Sequence, residues 1–168
     1  LPIWWRVKGV VKDLKADRVE LYHGLSGELP SGLAAAGIPG VVTVHDLIFL
    51  RHPEFYPAID VFFYKRKFYQ TLREATRIIA ISECTKRDIL YYGDFPEDKI
   101  DLVYQSCSTR FSQSVSSSLI EEARRKYQLP QRYILNVGTV EVRKNILLGI
   151  RTMAKLPSYL HLVIVGRQ

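Results

Sequence analysis

The sequence is poor in residues on which several protein classes depend. It has only two cysteines, Cys84 and Cys107, far apart and without Cys-x-x-Cys spacing. That argues against a disulfide framework and against a zinc site, and predicts reduced, buried thiols in a cytoplasmic protein. No apolar run approaches the roughly 20 residues needed to span a bilayer. The first residues, LPIWWRVK, lack a basic leader ahead of a long apolar block, and there is no initiating Met. The sequence is therefore expected to start inside a longer one and to carry no signal peptide. No Asp-x-Asp pair is present, so no metal site is expected. No Gly-x-Gly-x-x-Gly follows a strand: Gly24, Gly27 and Gly138 do not form that fingerprint. This weighs against a nucleotide-binding oxidoreductase or epimerase. Acidic residues are also in deficit, giving a net charge of +7 over 168 residues. A basic chain favours an anionic partner, whether nucleic acid, a nucleotide phosphate or an anionic membrane surface. The Lys and Arg residues are dispersed and carry no RNA-recognition signature, so a non-catalytic RNA-binding module is the weaker reading and no nucleic acid is expected.

What is present is globular: 47% hydrophobic and 24% charged residues, enough for a core and a soluble surface. Ile3, Trp4, Val7, Val11 and Leu14 recur at helical spacing, which predicts a helix over residues 1–16 with Trp4 in the core. Val19–Tyr22 reads as a strand ending at His23-Gly24. VVTV (Val41–Val44) reads as a second strand ending at His45-Asp46. In open parallel sheets ligands bind beyond the C-terminal ends of strands, so two histidines delivered at equivalent places are candidate site residues. Each alone would also suit an ordinary structural histidine.

HPEFYP (His52–Pro57) is a Pro-bounded loop. Ala58–Arg73 is helical, with Val61, Tyr64, Phe68 and Leu72 as its apolar stripe and a basic, aromatic remainder. Such a helix suits a plain domain helix or an anionic membrane surface. RIIAI (Arg77–Ile81) is a third strand. Ser82 caps a helix over Glu83–Tyr92, and Gly93 stops it. IDLVY (Ile100–Tyr104) is a fourth strand. Strands and helices alternating with short loops predict a parallel α/β sheet. The Ser-rich stretch Ser106–Ser118 reads as a linker, dividing the chain into residues 1–112 and 113–168. A helix over Leu119–Tyr127 follows, then a strand, Tyr133–Val137.

After that strand the chain runs GTVEVRKN (Gly138–Asn145) into a helix start, with a last strand at Leu160–Val165. A helix N-terminus offers unpaired backbone N–H groups and a partial positive charge, and Arg143 and Lys144 add two cations. The turn suits a phosphate or diphosphate; it also suits a solvated turn with ordinary surface charges. A sheet of two strands with one crossover helix is too small to be stable alone, so both sheet domains are expected to be incomplete in this chain.

Five ordered motifs, HGLSGELP, VTVHDLIFLRHPEFYP, RIIAISECTKRDIL, KIDLVYQSCS and YILNVGTVEVRKNI, together resemble the retaining glycosyltransferases of the GT-B fold, group 1 or family 4, closest to mannosyltransferase-like members. The resemblance implies an α/β protein of two Rossmann-like parallel-sheet domains with a cleft between an N-terminal acceptor half and a C-terminal donor half. It implies transfer of a sugar, mannose for this subgroup, from a GDP- or UDP-linked nucleotide diphosphate sugar to a polysaccharide or lipid-linked acceptor, with no cofactor and no metal. It assigns His45 and Asp46 to the catalytic cleft, and His23 and Gly24 to the acceptor side. Gly138, Thr139, Arg143 and Lys144 fall to donor diphosphate binding, Thr139 standing where many relatives carry arginine. It implies a cytoplasmic location, peripheral at the inner face of the membrane. The family's glycine-rich loop would lie before Leu1 and its paired glutamates after Gln168, so the segment alone is expected to be inactive, and its open strand edges to favour self-association.

Overall fold

The computed structural model describes residues 4–167, so Ile3, counted in the first helical stripe, lies outside the described residues. The chain divides into two compact units, one ending at Ser106 and the other beginning at Cys107. Each is α/β with a parallel sheet.

In the first unit a wide π-helical turn, Trp5–Gly9, leads into α1 (Val10–Ala16). Strands β1 (Tyr22–Gly24), β2 (Gly40–Val44), β3 (Arg77–Ala80) and β4 (Ile100–Leu102) form one sheet in sequence order, all parallel. Between them run a short α2 (Ile48–Arg51), the long α3 (Ala58–Glu74) and α4 (Glu83–Tyr92). Val42, Val44, Ile78, Ala80 and Ile100 of the sheet are buried against Leu33, Phe68 and Ile89 of the flanking segments. Apolar runs in β2 and β3 form buried strands because helices and loops cover the sheet.

Several expectations shift. Trp4 is 70% exposed and not a core residue. The π-helical winding takes more residues per turn, which carries Trp4 out of phase with the Val11–Leu14 face that meets the core. Strand β1 starts at Tyr22 instead of Val19, because Val19 is used to close the end of α1. Its N–H bonds the Leu14 carbonyl at 2.9 Å, after Arg18 turns left-handed at φ 55°. His23 and Gly24 therefore lie within the strand, opposite Val41 and Val42. Strand β4 stops at Leu102, where its partner β3 stops. Cys84 and Cys107 are exposed, against the expectation of buried thiols. Cys84 falls one residue from the buried Thr85 on α4 and so faces outward, where the Arg51 guanidinium lies 3.5 Å from its sulfur.

Ser82 caps α4 as expected, its Oγ accepting from the Thr85 N–H at 3.1 Å. Gly93 ends that helix for a different reason from the usual one. Its φ of −112° needs no glycine, but a Cβ there would sit 2.7 Å from Leu72 Cδ1. It is a glycine because the Ile89 carbonyl oxygen, 2.9 Å from that position, cannot move aside, while Leu72 of α3 fills the same space.

The second unit contains a 3-10 turn (Thr109–Ser112), α5 (Ser117–Lys126), β5 (Tyr133–Val137), α6 (Ile146–Met153) and β6 (His161–Val165). Strands β5 and β6 pair in parallel, Tyr133 against His161 through Val137 against Val165. Ser116 caps α5 through a long 3.4 Å bond to the Leu119 N–H.

Candidate functional site

Beyond the C-terminal ends of β1 and β2 the loop Leu25–Ala34 folds back over the sheet. The Glu28 carbonyl and Leu29 leave no room for a Cβ on Gly24, which explains that glycine by close approach alone. One face of α3 splints the loop. Lys67 pairs with Glu28 at 2.7 Å, and Gln70 Nε2 donates to the Leu29 carbonyl at 3.2 Å. The buried Thr71 accepts from the Leu29 N–H at 3.2 Å, and Glu74 accepts from the Gly32 and Ala34 N–H groups at 2.8 and 2.9 Å. Positions 67, 70, 71 and 74 share one helix face because they are three and four residues apart.

The splinted loop sets His45, and β2 sets His23. His45 Nε2 lies 2.8 Å from the Leu25 carbonyl oxygen. A carbonyl only accepts, so Nε2 carries the hydrogen and donates it. In the neutral ring this leaves the Nδ1 lone pair to accept from a ligand. The His45 carbonyl in turn accepts from the buried Thr85 hydroxyl at 3.0 Å, which anchors the end of β2 to the start of α4. Asp46 Oδ1 accepts from the Ile48 N–H at 3.3 Å and helps open α2. His23 Nε2 meets the Thr43 hydroxyl at 2.9 Å.

Two cavities lie here. One of about 320 Å³ is lined by His45, Asp46, Ser26, Tyr56, Tyr64 and Lys67. The other, about 570 Å³, is lined by His23, Gly24, Arg6, Phe63, Arg66 and Lys67. Ser26, Glu28 and Lys67 border both, so the Glu28–Lys67 ion pair is shared by the two histidine cavities. Sequence reasoning singled out both histidines but missed Ser26, Glu28 and Lys67. The signal available for Lys67 was its helical register with Gln70, Thr71 and Glu74, four polar residues on one face of an otherwise aromatic helix.

In the second unit Gly138 adopts φ 153°, and its N–H bonds the Val165 carbonyl at 2.9 Å. A Cβ at Gly166 would overlap the Gly138 carbonyl, so the exits of β5 and β6 meet through paired glycines. The turn then differs from the expected helix start. Val142–Lys144 form a 3-10 turn, Asn145 is left-handed at φ 49°, and α6 begins only at Ile146. The Lys144 and Asn145 N–H groups bond the Glu141 and Val142 carbonyls, both at 3.0 Å, and are not free for a ligand. Glu141 accepts from Arg143 Nε at 2.6 Å. A hydrogen bond from the Thr139 hydroxyl, then the charges of Arg143 and Lys144, hold the Glu141 carboxyl below its ordinary range. Arg143 is therefore balanced by a carboxylate, while no ion pair is recorded for Lys144 among the described residues. Gly138, Thr139, Arg143 and Lys144 do gather in one turn.

Among the described residues no group of His, Cys, Asp or Glu is placed to hold a metal ion, and no helix is long and apolar enough to cross a membrane.

Comparison with known proteins adds the family context. The sequence profile of Glycosyltransferase Family 4 matches residues 1–110. The O-antigen chain mannosyltransferase B of Escherichia coli is 31% identical over 127 residues, covering 75% of this chain and 32% of that protein. The serotype-specific mannosyltransferase WbdA of Escherichia coli is 29% identical over 147 residues, covering 84% of this chain and 18% of that protein. The chain thus spans about a third or less of these relatives. Among solved structures, Anabaena Alr3699/HepE in complex with UDP-glucose superposes with a TM-score of 0.68 at 18% identity, over 95% of this chain and 42% of that one. A glycosyltransferase from Rickettsia africae gives 0.53 at 16% identity, over 95% and 49%. The fold is of the GT-B type.

Proposed function

The chain belongs to Glycosyltransferase Family 4, and on that premise we propose that it is part of an enzyme moving a hexosyl group, mannose, from a nucleotide diphosphate sugar to a glycan acceptor. The donor is GDP- or UDP-linked, and the anomeric configuration is retained. The relatives named as mannosyltransferases support the sugar, and the neighbour bound to UDP-glucose supports the donor class. Residues 1–112 supply the acceptor half and residues 113–168 the start of the donor half.

The observation that carries this reading is the His45–Asp46 cavity at the end of β2 in a chain of this family. His45, with Nε2–H committed to the Leu25 carbonyl, offers Nδ1 to a sugar or acceptor hydroxyl. Asp46 borders the same space, and His23 and Gly24 border the neighbouring acceptor cavity. Cleavage of the sugar–phosphate bond leaves negative charge on the departing diphosphate. Lys144, set on the turn after Gly138 and Thr139, would stabilise that charge more in the transition state than in the substrate. Arg143 would join it on exchanging Glu141 for phosphate. No cofactor is called for. The unpaired outer edges of both sheets support self-association of the chain, and the basic, aromatic α3 supports peripheral binding to an anionic membrane at its cytoplasmic face.

The test uses the full-length protein containing this segment. With GDP-mannose or UDP-hexose and a mannan acceptor, transfer with retention is expected by NMR of the product. Lys144→Ala is expected to lower kcat ~100-fold or more, and His45→Ala to lower it by roughly 100-fold or more. Absence of transfer from either nucleotide sugar, or full activity in both variants, overturns the reading.

A further inference from the structure

A third depression, about 650 Å³, lies on the first unit beside the acceptor cavity and shares Val7, Arg66 and Gln70 with it. Its charged lining residues are Lys8, Arg66 and Arg73. No carboxylate lines it, and no ion pair is recorded for any of the three cations among the described residues. Three like charges facing one space without a counterion repel one another, and an anion seated there relieves that repulsion.

The walls are fixed in advance. The Ser31 N–H bonds the Val7 carbonyl at 2.7 Å, tying the π-helical turn to the loop. Gln70 and Glu74 tie that loop to α3. Trp4 is exposed, yet its ring packs against Gly9, where a Cβ would stand 3.1 Å from Trp4 Cζ3. Arg66, Tyr69 and Arg73 continue a stripe whose earlier members, Ile59, Phe62 and Phe63, are 51–59% exposed. One α3 face is thus apolar toward its N-terminus and cationic toward its C-terminus. Solvent-exposed aromatics next to cations suit a ligand with an apolar part and a charged head.

We propose that the Lys8–Arg66–Arg73 pocket binds the phosphate group of an anionic amphiphile whose apolar part lies on Ile59, Phe62 and Phe63. This rests on the membrane-surface reading above and names the site that serves it. His45, Asp46, Arg143 and Lys144 take no part, while Arg66 borders the acceptor cavity as well.

The test is binding of the 168-residue chain to phosphatidylglycerol-containing and pure phosphatidylcholine vesicles, measured by flotation and by Trp fluorescence titration. Binding to the anionic vesicles alone is expected. Arg66→Gln/Arg73→Gln should weaken it roughly thirtyfold. Gly9→Ala, which crowds the Trp4 and Trp5 rings, should lessen the fluorescence change. Unaltered far-UV circular dichroism checks that the variants fold, which the exposure of both arginines favours. Millimolar pyrophosphate should compete. If the parent ignores anionic vesicles, the membrane reading fails with the proposal. If the parent binds them and the double variant binds equally well, the pocket assignment alone is overturned. Pyrophosphate binding as tight as vesicle binding overturns the amphiphile and leaves a simple phosphate site.

Discussion

The two units use the same grammar and reach different results. In the first, Leu33, Val42, Ile78 and Ile89 are fully buried, and the core cluster draws on three strands, three helices and the loops between them. In the second, no described residue is buried; Leu135, Val137, Leu147, Leu148 and Ile150 are each more than half exposed. Both have parallel strands of apolar sequence. A parallel strand excludes water only when both faces of its sheet are covered. The four-stranded sheet has that cover, and the β5–β6 pair does not. Apolar content alone therefore does not make a core; the number of layers around the strands does.

The hardest way to break this comparison is to separate the units. Residues 1–106 are expected to unfold cooperatively in urea, and residues 107–168 alone to show no cooperative transition by circular dichroism. A sigmoidal melt of the second piece would refute the contrast. The same contrast predicts that the whole chain, with its donor turn on an uncovered sheet, transfers no sugar; turnover by this chain would count equally against it.

Single substitutions come next. Ile89→Ala should cost about 2–5 kcal/mol, as for other fully buried isoleucines. Leu135→Ala, on a surface already open to water, should stay within about 0.5 kcal/mol. Urea midpoints measure both, and equal losses would erase the distinction. The helix caps sharpen it further. Ser82→Ala removes a 3.1 Å cap and should cost about 1 kcal/mol; Ser116→Ala removes a 3.4 Å cap on an exposed helix and should cost clearly less.

The smallest effects are electrostatic and can be compared across the units. In the first, hydrogen bonds from Arg77 and then its charge hold the Asp101 carboxyl below its ordinary range. In the second, Glu141 is lowered by the Thr139 hydroxyl first and by Arg143 and Lys144 after it. A carboxyl depressed in the folded state adds stability above its unfolded pKa, and loses it as pH falls through the folded value. Asp101→Asn should therefore flatten the acid limb of stability, slightly because the pair is exposed. Glu141→Gln should leave stability nearly unchanged while freeing Arg143. Carbon-detected NMR titration of the two carboxyls reports both shifts, and an upward shift at either would contradict the geometry.

Much of the architecture was legible. The β2, β3 and β5 runs announce themselves by continuous apolar residues, Ser82 by its capping position, and α3 by the spacing of Val61, Phe68 and Leu72. Two of the misses share one cause, competition for the same backbone groups. Val19 looks like a strand residue, but its N–H closes α1. Asn145 looks like the start of a helix, yet its left-handed turn delays that start by one residue and commits the Lys144 and Asn145 N–H groups to the turn. His23 and His45 were visible as residues after strands. The Leu25 carbonyl that fixes the His45 tautomer was not, because it comes from a loop held by contacts some forty residues away on α3.

The sequence by itself determined the alternation of strands and helices and the family, because these follow from local periodicity and ordered motifs. Only the tertiary structure decided that the Glu28–Lys67 pair borders both histidine cavities, and that Lys8, Arg66 and Arg73 line one space with no carboxylate among its described lining residues. Pairing and desolvation of charge depend on distances across the fold, and neighbouring positions in the chain do not encode them.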